Sequence, residues 1–326
     1  MFTTLAYETT SSHLQDGVGS LESVVTKYIV ISPVKDEEKY VETTIKAVVG
    51  QTLRPYRWVI VNDGSTDGTA GIIEEYARKF DWIRPLTRHH NAPRQPGGAV
   101  IRAFNDGLES VVGEPTDFIV KMDCDIELPP GYFESLLGKF EADPTLGIAS
   151  GVYLEESGSN WMAVEMPSYH AAGACKVVRA DCFGQIGGFV ESRGWDTVDE
   201  IKAQVLGWKT RHFEELKFRH LKKEGSSIGA IATSVMHGEV FYLTGGGILF
   251  FAMKVLHRMV FDKPVLLSGL ALLCGYLKLV LRGEQKLVSR TEGRLYSRLL
   301  RRRLWRGLSS ASRKGMVNPP QVRSCE

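Results

Sequence analysis

Three short, almost unbroken apolar runs mark the first part of the chain: Tyr28 to Ile31, Trp58 to Val61 and Phe118 to Met122. Runs of this kind, without alternation, are the mark of strands covered on both faces in a mostly parallel sheet. Between them the apolar positions switch to helical spacing: Val41, Ile45, Val48 and Val49, then Ile72, Ile73, Tyr76, Ala77 and Phe80, then Ile101, Phe104, Leu108 and Val111. Strand and helix in alternation predict βαβ units with right-handed crossovers, hence an α/β fold with a mostly parallel central sheet flanked by helices. In such sheets ligands lie beyond the carboxyl ends of the strands. Asp36, Asp63, Asp123 and Asp125 are therefore expected to converge on one rim.

After about Gly147 the alternation stops, and the stretch through Trp195 and Gly207 is irregular and rich in Gly and Trp. This half is the expected place for a second substrate. From Ser234 onward two apolar stretches follow, Val240 to Met253 and Pro264 to Leu277, bounded by Lys254, His257, Arg258, Lys263 and Lys278. A bilayer span needs about 20 apolar residues. These stretches are shorter and suit a membrane interface, with buried core helices as the alternative. The pattern divides the chain into a polar leader at 1–26, an α/β domain at 27–233 and a helical, basic extension at 234–326.

Charge sharpens the last of these. The net charge is only +2, yet from Arg282 to Glu326 there are 12 Lys or Arg against three Glu, so the tail carries +9 and the remainder −7. Within it Arg290, Arg294, Arg298, Arg301, Arg302 and Arg306 recur at three- and four-residue steps, with Leu295, Leu299, Leu300 and Leu304 between them. That is a basic amphipathic helix, suited to an anionic surface. No nucleic-acid recognition motif accompanies the charge, so membrane phospholipid is the expected partner rather than nucleic acid. Five cysteines without a CxxC spacing suggest neither a disulfide framework nor a zinc site. Met1 to Thr26 has no basic start and no apolar run, so no secretory signal is expected. The expected location is the cytoplasm, at the inner face of the membrane.

The candidate chemistry sits at the strand ends. Asp123 and Asp125, at i and i+2 of an extended segment, leave the same face. Two such carboxylates can approach one Mg2+ or Mn2+ and leave open positions for phosphate oxygens. Asn62-Asp63-Gly64-Ser65 likewise follows a strand and precedes a helix. Asp63 could accept the imide N–H of a uracil, or this could be a plain turn in which Asp63 or Ser65 caps the next helix. No GxGxxG follows a strand, and there is no GxxxxGK[ST] loop, so neither a dinucleotide fold nor a nucleotide triphosphatase is indicated.

Ser32-Pro33-Val34-Lys35-Asp36-Glu37, Asn62-Asp63-Gly64-Ser65-Thr66-Asp67-Gly68-Thr69, Gly97-Gly98-Ala99 with Asn105-Asp106-Gly107, and Asp123-Cys124-Asp125 resemble, in order, the motifs of family 2 glycosyltransferases with the GT-A fold. The resemblance spans roughly Tyr28 to Leu221. It implies an inverting, metal-dependent hexosyltransferase using a nucleotide-sugar, UDP-linked by family habit, and a saccharide or lipid-linked acceptor in polysaccharide or glycolipid assembly. It also implies that Pro33, Asp36, Asp63, Gly98 and Asp123 bind the nucleotide-sugar. Asp123 and Asp125 would hold the metal, and His220, after a possible strand at Lys217 to Arg219, would join them or be an ordinary surface or core histidine. The family's acceptor-side motif, usually Glu-Asp about eleven residues before a Gly-aromatic pair, leads back from Gly207-Trp208 to Asp196 as the base, although Trp195 replaces the Glu. Asp199 is the second candidate, while Asp199 and Glu200 could instead form a solvated first helical turn. Trp195 could stack on a sugar or pack in a core, and Arg94 and Arg102 could meet phosphate or be surface charges. The rival readings are a sugar nucleotidyltransferase and a non-catalytic membrane adaptor that keeps the fold.

Overall fold

The computed structural model describes residues 26–88, 97–222 and 229–314, with 303 and 305–314 by backbone alone. They form two compact units, one drawn from residues before 193 together with 206–222, the other from 193–205 together with residues after 222.

In the first unit the order is β1 (Tyr28–Val34), α1 (Val41–Val49), β2 (Arg57–Asn62), α2 (Thr69–Lys79), β3 (Ile83–Thr87), α3 (Gly98–Glu109), β4 (Phe118–Met122), β5 (Ile126–Glu127), α4 (Tyr132–Ala142), β6 (Leu146–Ser157), β7 (Asn160–Ala163), β8 (Cys175–Arg179) and α5 (Ala180–Ile186). The chain passes through α6 (Trp195–Val205), in the second unit, and returns as β9 (Lys209–His220). The strands form one sheet in the order β3-β2-β1-β4-β8-β6-β9-β5, with β7 on β6.

β1 to β4 are mutually parallel where they pair, Val30 lying level with Trp58 and Val120. β1, β2 and β4 are the strands announced by the apolar runs, and burial on both faces explains why those runs do not alternate. On one face Val30, Trp58, Ile60 and Val120 pack with Val41, Ile45 and Val48 of α1 and Phe133, Leu136 and Phe140 of α4. On the other, α3 seats its backbone on β1 and β2 through Gly107. A Cβ there would lie 2.6 Å from Ile31 Cγ2 and 2.7 Å from Val61 Cγ2.

The stretch after Gly147 is not irregular. It carries β6 and β9, of twelve residues each, besides β7 and β8. β8 runs antiparallel to β4 and β6, β9 runs parallel to β6, and β5 closes antiparallel on β9. Register shifts at Leu146/Ile148 and Gly151/Val152 interrupt the alternation that would have revealed the two long strands. Gly151 is needed at the second shift because a Cβ would lie 2.2 Å from Leu216 O.

The second unit contains α6, α7 (Ala230–Leu243), α8 (Ile248–Phe261), α9 (Leu267–Arg282) and α10 (Arg290–Lys314). The apolar stretch Val240 to Met253 is two helices, because α7 ends before Thr244-Gly245-Gly246-Gly247 and α8 begins after it. α7 and α9 touch backbone to backbone: a Cβ on Gly275 would lie 2.0 Å from Val235 O. Phe241, Phe251, Val255, Leu272 and Leu300 form the core joining α7, α8, α9 and α10. Among the described residues no helix is long and apolar enough to cross a membrane. Most of the leader and residues 315–326 of the tail lie outside the described residues.

Candidate functional site

At the carboxyl ends of β1 and β2 two loops are knitted together. Asp36, with φ 52°, accepts at Oδ1 from the Thr66 amide at 2.8 Å and donates its own amide to Ser65 Oγ at 3.0 Å. Asn62 Oδ1 accepts from the Ser65 amide at 2.9 Å, and Gly64 supplies the φ of 73° that this turn requires. Neither Asp63 nor Ser65 caps α2; the Thr69 amide is instead met by Asp67 Oδ1 at 3.1 Å. Asp63 is buried, and its carboxylate pairs with Arg88, which also reaches Asp106 Oδ2 at 2.5 Å.

Arg88 was not among the candidate residues. It directly follows β3, whose sequence Ile83-Arg84-Pro85-Leu86-Thr87 carries too weak an apolar signal to mark a strand end. Arg94 lies outside the described residues, and Arg102 is exposed on α3. Pro33 is half-buried in β1 opposite Val61. Gly98 opens α3 at a close approach, where a Cβ would lie 2.9 Å from Glu191 O. An open cavity of about 370 Å³ is lined by Asp36, Glu37, Glu38, Lys39, Tyr40, Asp67 and Lys222. Asp63, Asp123 and Asp125 do not line it, so it marks the Asp36 loop and not the acidic cluster.

That cluster is built by strand pairing. Asp123, Cys124 and Asp125 link β4 to β5, with Cys124 buried. β5 pairs antiparallel with the end of β9, placing Ile126 opposite His220, and so a histidine almost a hundred positions away arrives beside the two carboxylates. One ligand atom from each of Asp123, Asp125 and His220 lies within 4.8 Å of the other two. His220 Nε2 is 3.4 Å from Asp125 Oδ1, long for a hydrogen bond. Asp125 Oδ1 and His220 Nδ1 are buried yet have no hydrogen-bond partner among the described residues. Buried polar atoms are rarely left so unless an ion or water completes them. Two carboxylates and an imidazole fit a divalent cation of the Mg2+ or Mn2+ type.

Lys121, buried in β4, donates to Asp123 Oδ1 at 2.5 Å and to Gly173 O at 2.9 Å. Burial raises the Asp123 pKa above the usual carboxylate value, against the pull of Lys121 and with the help of the Asp125 charge. Burial alone would lower that of His220, but Asp125, Asp123 and Glu155 together outweigh it and the net shift is upward. Glu155 Oε1 lies 3.9 Å from His220 Nδ1. Because Glu155 sits on β6, which the sequence pattern hides, nothing short of the strand order could have found it.

The two candidate bases lie in the second unit. Asp196 is half-buried in the first turn of α6. Asp199 and Glu200 are each 1% exposed, so they do not form a solvated turn, and Asp199 Oδ1 accepts from the Glu200 amide at 2.6 Å. Trp195 is buried, as a core residue would be. On α7, His237 accepts at Nδ1 from Arg258 Nη2 at 3.0 Å. Burial, reinforced by Arg258 and Lys254 and opposed by Asp196, pulls the His237 pKa down to about 4.

Comparison with known proteins supplies the family. Glycosyl transferase family 2 matches residues 29–190, the stretch that carries β1 through β8. The chain is 34% identical over 104 residues to the putative glycosyltransferase EpsH of Bacillus subtilis, covering 32% of this chain and 27% of that one. It is 27% identical over 196 residues to the glycosyltransferase GlyA of Streptococcus pneumoniae, covering 59% and 26%. These matches span about a quarter of each relative's length. Among solved structures, the mannosyltransferase PcManGT of Pyrobaculum calidifontis, in complex with GDP-Man and Mn2+, is similar with a TM-score of 0.52 and 16% identity, over 91% of this chain and 82% of that one. Family match, motif order and fold agree, and the chain belongs to glycosyltransferase family 2, with the GT-A fold.

Proposed function

We propose that this protein transfers a sugar, with inversion, from a nucleotide-sugar, UDP-linked in the first instance, to a hydroxyl of a saccharide or lipid-linked acceptor. The observation that carries the reading is the Asp123, Asp125 and His220 cluster, with two buried atoms that have no hydrogen-bond partner among the described residues, at the end of the central strand β4. That is where a sheet of this kind places ligand groups. That PcManGT is solved with a nucleotide-sugar and Mn2+ supports the same class of ligands.

In this reading Pro33, Asp36, Asp63 and Gly98 hold the nucleoside and sugar, and Arg88 fixes the Asp63 carboxylate in place. Asp123, Asp125 and His220 hold Mg2+ or Mn2+, which when bound neutralises charge on the departing diphosphate. Lys121 keeps the Asp123 carboxylate oriented. Asp196, with Asp199 as the other candidate, takes the acceptor hydroxyl's proton as the new C–O bond forms at the anomeric carbon. The bond from that carbon to the diphosphate oxygen breaks, its electron pair leaving with the nucleoside diphosphate. The work is done in the cytoplasm, at the inner face of a membrane, where lipid-linked acceptors are met.

A thermal-shift screen of nucleotide-sugars with Mn2+ tests donor binding. A ligand at a hundred times its Kd stabilises the native state by about 2.7 kcal/mol. At least one donor should raise the melting temperature only when Mn2+ is present, and less so in Asp125→Asn. A panel without any Mn2+-dependent shift would count against the reading.

A further inference from the structure

α8 presents two apolar faces. Phe251 and Val255 point into the helical core, while Ile248, Leu249, Leu256 and Val260 point outward, Ile248 being 73% exposed. Phe261, the last residue of α8, and Val265 and Leu266 of the turn that follows are exposed as well, Phe261 at 71%. On α9, Leu270, Cys274, Leu277 and Leu281 recur at helical spacing and are all exposed, Leu281 at 86%. So many exposed apolar residues on two helices packed together mark an interaction site.

The charges around it choose the occupant. From Ile248 to Arg282 there are five Lys or Arg and a single acidic residue, Asp262, which is paired with Arg258 at 3.3 Å; Lys278 is paired with Glu239 of α7 at 2.6 Å, while Lys263 and Arg282 are exposed. A two-fold contact would set this cationic face against itself, whereas anionic lipid complements it. α10 adds to the field, with Arg294, Arg298, Arg301 and Arg302 exposed. Its Leu300, however, is packed in the core of the unit. No helix among the described residues is long and apolar enough to cross a bilayer, which leaves shallow insertion.

We infer that the outward face of α8 and α9, with the turn Phe261 to Leu266 between them, docks on an anionic bilayer and sinks its apolar side chains into the headgroup region. Lys263 and Arg282, both exposed, then meet lipid phosphate at its margin. This docking deepens the membrane location proposed above by naming the surface that makes the contact, and it does not rest on donor chemistry.

The test is flotation of the full chain with vesicles of phosphatidylcholine, alone or mixed with phosphatidylglycerol. The chain should float with the mixed vesicles and far less with phosphatidylcholine alone. Leu256→Glu combined with Leu266→Glu, both at exposed positions, should lower recovery at least tenfold with an unchanged circular dichroism spectrum. An environment-sensitive fluorophore on Cys274, in a chain carrying Cys325→Ser, should shift to the blue on adding the mixed vesicles. Three results would overturn the inference: no flotation of the wild-type chain, a double variant that floats as well as wild type, or a wild-type dimer that the same double variant dissociates.

Discussion

Replacing Lys121 by Met keeps the length of the side chain and removes its charge. The lysine side chain is 4% exposed and that of its partner Asp123 is 31% exposed. Removing one member of a buried pair costs about 3–5 kcal/mol, because the remaining charge is stranded. Asp123 retains some access to water, so the lower end applies, and we expect a loss of about 3 kcal/mol in the absence of divalent ions. At roughly 2–4 °C per kcal/mol for a domain of about 200 residues, that is a fall in Tm of about 9 °C. The assay is thermal denaturation in EDTA, repeated with Mn2+. Since the ion no longer shares Asp123 with an ammonium group, Mn2+ should restore more stability to Lys121→Met than it adds to the wild type. Equal melting of the two proteins in EDTA, or a variant indifferent to Mn2+, would refute the reasoning.

Gly107→Val puts a side chain where a Cβ already meets Ile31 and Val61 at 2.6 and 2.7 Å, and such overpacking costs about 1–3 kcal/mol. Chemical denaturation should show that loss, and unchanged stability would mean that α3 does not seat on β1 and β2 as described. His237, held near pKa 4 against an ordinary 6.5, is neutral in the folded state at pH 7. Because its folded pKa is the lower one, its contribution is complete above about pH 6.5 and is lost as the pH falls toward 4, to the extent of about 3 kcal/mol. Urea titrations across that window should show a shallower decline for His237→Gln, and parallel profiles would contradict the assignment.

The parts of the fold that could be read in advance are those where one physical cause dominates. β1, β2 and β4 are buried on both faces, so their composition announces them. The carboxylates at their ends follow from strand direction, as does the rim formed by Asp36 and Asp63. β6 escaped notice, and of β9 only the end at Lys217 to Arg219 could be read, because a register shift and the close approach at Gly151 break their periodicity. With them went Glu155, and the reason His220 meets Asp125 at all, since that meeting depends on β5 pairing with β9. Lys121 was hidden for a different cause: it sits inside an apolar run that announces only a strand, and the neighbouring Asp123 and Gly173 show its purpose. In the second unit, hydropathy alone ran α7 and α8 together across three glycines.

Turnover by the full chain decides the proposed chemistry most directly. Purified protein with Mn2+ is given a panel of nucleotide-sugars, and the released phosphate product is identified. We predict nucleoside diphosphate from at least one donor, its release abolished in Asp123→Asn and Asp125→Asn, with Asp196→Asn binding the donor but transferring no sugar. Pyrophosphate in place of nucleoside diphosphate, or full activity in both the Asp123 and Asp125 variants, would contradict a transferase built on this cluster.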